Sequence, residues 1–126
     1  MKDNILYSKS MAFAIRCVNL YKYLTTEKKE FVLSKQLLRS GTSIGANIHE
    51  SRNAQSPADF ISKMSIALKE ADETQYWFEL LFHTDYFTEE EYISINTDVD
   101  ELISMLTSVI KTSKNKIKTN INLELS

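Results

Sequence analysis

One stretch of the chain decides its fold: residues 60–81, which read FISKMSIALKEADETQYWFELL. Apolar and small residues recur along it at alternating intervals of four and three. That spacing puts them on one helix face and is typical of helices packed nearly parallel or antiparallel in a bundle. The resulting seam consists of Phe60, Met64, Ala67, Ala71, Thr74, Phe78 and Leu81.

Two further stretches repeat this spacing. The 126 residues include only two glycines and one proline, so the chain offers few signals for strands or tight turns. We predict an all-α, antiparallel up-down-up-down four-helix bundle with helices at about 4–24, 27–54, 57–84 and 88–116. The bundle domain spans 1–118, and 119–126 is expected to be a disordered or frayed C-terminal tail. The other two seams are Leu6, Ser10, Phe13, Cys17, Leu20 and Leu24, and Tyr92, Ile95, Val99, Leu102, Leu106 and Val109.

Three helix starts carry capping signals. Ser56 precedes Pro57, which suits the first helical position, and Asp59 stands where a capping-box acid reaches back. Residues 88–91, Thr-Glu-Glu-Glu, form a full capping box. Residues 25–27, Thr-Thr-Glu, predict the start of the second helix.

Composition bounds the class of protein. Hydrophobic residues make up 43% and charged residues 25% of the chain, as in ordinary soluble domains. No apolar run approaches the roughly 20 residues of a membrane span, and no signal peptide is visible. The single cysteine, Cys17, excludes an internal disulfide. We therefore expect a soluble, cytoplasmic protein that does not act at a membrane.

Charge is distributed unevenly along the chain. Residues 1–56 carry nine Lys/Arg and four Asp/Glu (+5), whereas residues 57–126 carry six Lys and thirteen Asp/Glu (−7). The two halves are expected to attract each other, within one fold or across subunits. Some of the basic residues are candidates for nucleic-acid contact, although a solvated charged surface explains them equally well. These candidates are Lys28, Lys29, Lys35, Arg39 and Arg52.

Both glycines lie in residues 34–50, SKQLLRSGTSIGANIHE. Gly41 and Gly45 are four apart, so they share a helix face, where each costs about 1 kcal/mol relative to alanine. We predict that they permit close packing of another helix. Elsewhere, large apolar residues exceed the needs of a monomeric bundle and predict an oligomer interface. These residues are Ile66, Trp77 and Leu80.

The chain lacks the residue spacings that known catalytic and metal sites require. A di-iron bundle needs paired Glu-x-x-His motifs, and the chain has none. His49 and Glu50 begin a zinc motif, but Asn53 stands in place of the second histidine. Ser43 and His49 are nearly two helical turns apart, too far for a nucleophile–base pair. We predict no catalytic residues, no metal, no cofactor and no small-molecule substrate.

One extended motif resembles a known family. It consists of Ser34, Gln36, Leu37, Arg39, Ser43, Ile44, Ala46, Asn47, Ile48 and Glu50, followed by Asp59-Phe60 and Ala67-Leu-Lys-Glu70-Ala-x-Glu73-Thr74. In these residues the chain resembles the bacterial 23S rRNA intervening-sequence proteins. The resemblance implies a non-enzymatic four-helix bundle that assembles as a homopentamer. It also makes Arg39, Ser43, Asn47 and Glu50 signature positions, which we interpret first as structural: Arg39 and Glu50 in ion pairs or caps, Asn47 as a buried hydrogen-bonding group.

Two functions follow as hypotheses. The first is a homo-oligomeric, pentameric helical scaffold that binds RNA or protein. The alternative is a nucleic-acid-binding accessory protein that acts with a reverse transcriptase or another RNA-processing partner. It follows from a related branch, the accessory variability determinant proteins of diversity-generating retroelements, which form similar pentamers.

Overall fold

The computed structural model of the protein describes residues 2–125, with side chains from residue 5 onward. These residues form four helices: α1 Lys2–Thr26, α2 Leu33–Ser51, α3 Pro57–His83 and α4 Glu89–Leu125. Short connections make each helix antiparallel to the next. No strand occurs in the described range, so the predicted all-α four-helix bundle is confirmed. None of the described helices is long and apolar enough to cross a membrane.

The core follows the three predicted seams. In α1 every seam residue is buried except the half-buried Leu20, and in α3 the exception is Phe60. In α4 the four central seam residues are buried, while Tyr92 and Val109 are half-buried near the edges. Each large apolar side chain buried in this way contributes about 1.5–3 kcal/mol. The second helix completes the core with Leu37, Ile44 and Ile48.

The predicted caps of α3 and α4 are present. The Asp59 backbone N–H donates to Ser56 Oγ at 3.0 Å, and the Asp59 carboxylate accepts from the Gln55 backbone N–H at 3.1 Å. In α4 the Glu91 N–H donates to Thr88 Oγ1 at 3.1 Å, and the Glu91 carboxylate accepts from the Thr88 N–H at 2.8 Å. The second pair is the reciprocal capping box expected from the sequence.

The predicted start of α2 at residue 27 is wrong. The first helix continues through Thr26, and the hydroxyls of Thr25 and Thr26 donate back to carbonyls of its last turn. Lys29 then takes a positive φ of 55° in the connecting loop. The Glu30 carboxylate accepts the backbone N–H groups of Val32, Leu33 and Ser34, which start α2 instead. The second helix also ends earlier than predicted, at Ser51.

The last helix extends past its neighbours. It has 37 residues whereas α3 has 27, and it continues through Leu125 rather than ending near 116. Residues 119–125 of the expected frayed tail are helical and every one of their side chains is exposed, while Ser126 lies outside the described residues. We call residues 116–125, the part of α4 from the predicted helix end onward, the α4 overhang.

Ion pairs join the basic and acidic halves of the chain. Lys9 lies 2.7 Å from Glu101 and Arg16 lies 2.7 Å from Asp98, and both pairs cross from α1 to α4. Arg16 also donates to the hydroxyl and the carbonyl of Ser94. These polar bridges hold the loosest of the helix contacts, since α1 and α4 pack against each other less closely than the three sequential helix pairs do.

Candidate interaction face on helices two and three

One side of α2 is shaped by its two glycines and faces α1. A Cβ built at Gly41 would lie 2.5 Å from Cys17 Sγ and 3.1 Å from Cys17 Cβ, closer than side chains approach without displacement. At Gly45 the nearest atoms are those of Ser10, with its hydroxyl at 3.4 Å and its carbonyl oxygen at 3.5 Å. Both glycines thus lie at the α1–α2 contact, and the approach is tight only at Gly41.

The opposite side of α2 faces α3 and carries Arg39. The Arg39 guanidinium pairs with Glu70, at 3.2 Å, and with Glu73. The carboxylate of Glu73 also accepts the indole N–H of Trp77 at 3.1 Å. One arginine, two carboxylates and an indole therefore form a connected network across the two helices. Because two carboxylates engage the Arg39 guanidinium, this network holds the α2–α3 register rather than offering a free cation.

The remaining signature positions continue along the same side of α2. Ser43 donates to the Arg39 carbonyl at 2.6 Å, and Asn47 donates to the Ser43 carbonyl at 2.9 Å. Glu50 pairs with Lys63 of α3 at 3.3 Å. Asn47 is half-buried rather than fully buried, which corrects our interpretation of its environment. Both Arg39 and Glu50 form ion pairs with α3.

The predicted interface residues lie on the adjoining side of α3. Ile66 is 40% exposed, while Trp77 and Leu80 are half-buried. Tyr76, which was not among the predicted interface residues, is 57% exposed and packs edge-to-face on Trp77 with 5.1 Å between ring centroids. Ile66 and Tyr76 are the two large apolar residues of α3 most open to solvent. We call Ile66, Tyr76, Trp77 and Leu80 the α3 apolar face.

The structure divides the proposed nucleic-acid contacts into three places. Lys28 and Lys29 lie in the α1–α2 loop, and Lys35 lies in the first turn of α2 beside them. Arg52 follows the other end of α2, about 25 Å away, where its guanidinium lies 4.9 Å from the Tyr7 ring centroid. Arg39 is engaged by the two glutamates of α3. Only the three lysines remain as a common cluster.

The groups with chemical reactivity are dispersed. Burial raises the pKa of the Cys17 thiol to about 12, so the thiolate is strongly disfavoured. His49 packs against the Tyr7 ring, and His83 lies 3.9 Å from Glu79 on the exposed side of α3. Within residues 2–125 no group of three or more His, Cys, Asp or Glu is arranged to hold a metal ion.

Comparisons with known proteins agree with the family resemblance. The chain is similar to a solved structure from Bacteroides thetaiotaomicron, described as a protein with unknown function from the S23 ribosomal protein family. The two are 63% identical with a TM-score of 0.87, and the match covers 88% of this chain and 99% of that one. No curated protein matches the chain. The family model of the 23S rRNA-intervening sequence proteins matches residues 2–108, and the chain belongs to that family.

Proposed function

We propose that this protein acts without catalysis, as a cytoplasmic homopentameric scaffold that binds a protein partner. The observation that carries the proposal is the α3 apolar face, which we assign to the contact between subunits. Ile66 and Tyr76 are open to solvent on the side of α3 that carries Trp77, and the Glu70 and Glu73 carboxylates of the same helix are paired with Arg39. Apolar and aromatic side chains bordered by satisfied polar groups are typical of protein interfaces.

The side chains around this face favour a rigid contact surface. Trp77 packs against the core, and its indole N–H is held by Glu73. Glu73 is in turn paired with Arg39 of α2. An anchor held in this way loses little conformational freedom when it binds, so most of the burial energy is retained in the complex. The resemblance to the intervening-sequence proteins supplies the subunit number of five.

The distribution of reactive groups supports a role without catalysis. Ser43 donates its hydroxyl proton to the helix backbone and has no histidine within reach. The Cys17 thiol is buried and its pKa is raised. His49 and Glu50 line a groove of about 370 Å³, and the two aliphatic hydroxyls in its lining, those of Ser10 and Thr42, donate to backbone carbonyls of their own helices. Activation of a nucleophile requires a base in hydrogen-bond range, which neither Ser43 nor Cys17 has among these contacts.

The experiment is native mass spectrometry with light scattering on the full chain. The wild type is expected at five times the 14.5 kDa chain mass. An Ile66→Ser/Tyr76→Ser variant is expected to lose the pentamer while keeping its helical circular dichroism, since both side chains are exposed. A matched control, Phe31→Ser/Val32→Ser, removes two exposed apolar side chains of the α1–α2 loop and should remain pentameric. A wild-type monomer at micromolar concentration would contradict the proposal.

The unpaired lysines favour the second candidate, a nucleic-acid-binding accessory protein. No ion pair among the described side chains involves Lys28, Lys29 or Lys35, so their charges are available to phosphates. Anisotropy of labelled RNA and DNA oligonucleotides separates the candidates. Affinity that falls steeply between 50 and 200 mM salt, and is lowered by alanine at all three positions, would favour this alternative. A scaffold for protein partners is expected to show no binding.

A further inference from the structure

The α4 overhang presents an apolar stripe flanked by lysines. Ile117, Ile121 and Leu125 follow one another at intervals of four, so they share one face of the helix. Ile121 is 49% exposed and Leu125 is 82% exposed. Lys114 and Lys118 stand three or four positions from these residues and border the same face. No acidic residue occurs between Glu101 and Glu124, which leaves this segment strongly basic.

The lysines of this segment form no ion pair within the described part of their own chain. They are Lys111, Lys114, Lys116 and Lys118. The family model ends at residue 108, so the overhang lies outside the part of the chain that the family shares. A surface complementary to this segment would have apolar side chains opposite the stripe and carboxylates opposite the lysines.

Such a surface exists at the other end of the bundle. A groove of about 460 Å³ lies between α1 and the start of α4. Its lining includes the apolar side chains of Leu20, Phe87 and Ile95 together with the carboxylates of Glu90 and Glu91. No Lys or Arg occurs between Glu70 and Ile110, so the α4 side of the groove has no cation of its own, and Arg16 on the α1 side is engaged by Asp98. We call this the α1–α4 groove.

A chain cannot fill its own α1–α4 groove. Glu90 and Ile121 are 31 residues apart on one continuous helix, which separates them by about 46 Å at 1.5 Å per residue. The occupant must therefore come from another copy. We propose that the α4 overhang of one copy docks into the α1–α4 groove of a second copy, with the apolar stripe on the groove floor and Lys114 and Lys118 against Glu90 and Glu91.

This contact joins two different surfaces, so it is heterologous and adds copies in one direction. It rests on the proposed self-association and supplies a second contact, separate from the α3 apolar face. Its apolar part provides the burial, and its charges select the orientation and make it sensitive to salt.

The first test uses full-length variants and sedimentation velocity. Ile121→Asp places a charge in the stripe and is expected to weaken association at least tenfold. The matched control is Thr119→Asp, an equally exposed position on nearly the opposite face of the same turn, which should leave association within twofold of wild type. Neither side chain contacts the core, so both variants should fold. Equal behaviour of the two variants would overturn the proposal.

The second test exchanges the charges. Glu90→Lys and Lys114→Glu are each expected to weaken association about tenfold at 50 mM salt. Combining the two changes should restore the affinity to within threefold, because the ion pair between these two positions is re-formed with reversed sign. Glu91 is left unchanged because it caps α4. Loss of association that the combined variant does not recover would contradict the proposed pairing.

The third test detects the head-to-tail geometry. In an Ile66→Ser/Tyr76→Ser background, a Glu90→Lys chain keeps a competent overhang and an Ile121→Asp chain keeps a competent groove. Each alone should be monomeric, and their mixture should form a one-to-one pair. If that background dissociates but the mixture stays monomeric, the overhang contact is wrong and the proposed scaffold stands. If the wild type is monomeric throughout, both proposals fail.

Discussion

The two sides of α2 contact their neighbours in opposite ways. Toward α1 the helix has no side chain at Gly41 and Gly45, so the Cys17 side chain lies directly against Gly41 and the side chain and backbone of Ser10 lie against Gly45. Toward α3 it extends long charged side chains, Arg39 and Glu50, to partners several ångströms away. The α1–α2 contact depends on the missing side chains of Gly41 and Gly45. The α2–α3 contact depends on the long side chains of Arg39 and Glu50, which can change conformation.

This difference predicts which side tolerates substitution. A close-packed contact cannot accommodate an added carbon without moving a neighbour, and core neighbours move at a cost. A partly exposed ion pair can be replaced by water and counter-ions, so its loss costs little. We therefore expect the glycine side to determine stability, and the charged side to determine register and the shape of the adjoining α3 apolar face.

The largest effect is expected for Gly41→Ala. The new Cβ would lie 2.5 Å from Cys17 Sγ, and Cys17 is fully buried. Overpacking of this kind should lower the free energy of unfolding by about 1–3 kcal/mol, despite the higher helix propensity of alanine. Urea denaturation followed by circular dichroism measures the change.

A double-mutant cycle with Cys17→Ala identifies the clashing atom. Removing the sulfur takes away the nearest contact of the new Cβ, so the two substitutions together should cost less than their sum by about 1 kcal/mol. Strict additivity would show that the strain at Gly41 arises from backbone contact instead, and the comparison between the two sides of α2 would need a different basis.

The next largest effect is expected at Glu30, whose carboxylate caps the N-terminus of α2. Burial alone raises the pKa of its carboxyl, but the hydrogen bonds from the backbone of Leu33, Ser34 and Val32 outweigh burial and lower the pKa below its ordinary value. Because the pKa is lower in the folded state, this stabilisation is present above the ordinary pKa of glutamate. It is lost as pH falls through the folded-state pKa.

Glu30→Gln should therefore lower the free energy of unfolding by about 1–2 kcal/mol near neutral pH, since a neutral amide accepts these hydrogen bonds more weakly. The difference between variant and wild type should shrink as the medium is made acidic. Urea denaturation between pH 3 and 7 measures this. The matched control is Glu27→Gln in the same loop, whose carboxylate is exposed. A difference that stays constant over the whole pH range would contradict the capping role.

The sequence was sufficient to predict the seams, because a spacing of three and four residues follows from helix geometry alone. It was misleading at the start of α2. Thr25 and Thr26 are of a residue type that is common at N-caps. Threonine hydroxyls also donate to carbonyls of the preceding helical turn, however, and they do so here. The N-cap residue is Val32, which makes no side-chain capping bond, and the first N–H groups of α2 are accepted instead by Glu30, two positions before it.

The ion-pair network between α2 and α3 was predicted only from its α2 side. Spacing places Arg39, Ser43 and Asn47 on one helix face, but it does not give the register between α2 and α3. The pairing of Arg39 with Glu70 and Glu73 depends on that register, and so it needed the structure. The overhang was missed because the lysines after residue 110 resemble the cations that end a helix. Continuation of the apolar seam through Ile117 was the signal available.

A smaller effect is expected for Arg39→Ala. The guanidinium is about half exposed, so losing its pairs with Glu70 and Glu73 should cost about 0.5–1 kcal/mol at low salt. The cost should be reduced in 1 M NaCl, where exposed charges are screened. Lys35→Ala on the same helix has no ion pair to lose and serves as the control. A cost for Arg39→Ala that is unchanged by salt would show that its alkyl packing matters more than its charge.

The smallest effect, and the only gain, is expected for Gly45→Ala. Here the added Cβ would lie 3.4 Å from Ser10 Oγ and 3.5 Å from its carbonyl oxygen, which is ordinary van der Waals contact. Nothing then opposes the helix preference for alanine, and the free energy of unfolding should rise by about 0.5–1 kcal/mol. Urea denaturation in parallel with Gly41→Ala makes the comparison direct, because two glycines one turn apart should respond with opposite signs. A loss of stability at both positions would mean that α1 and α2 are closely packed at Ser10 as well as at Cys17.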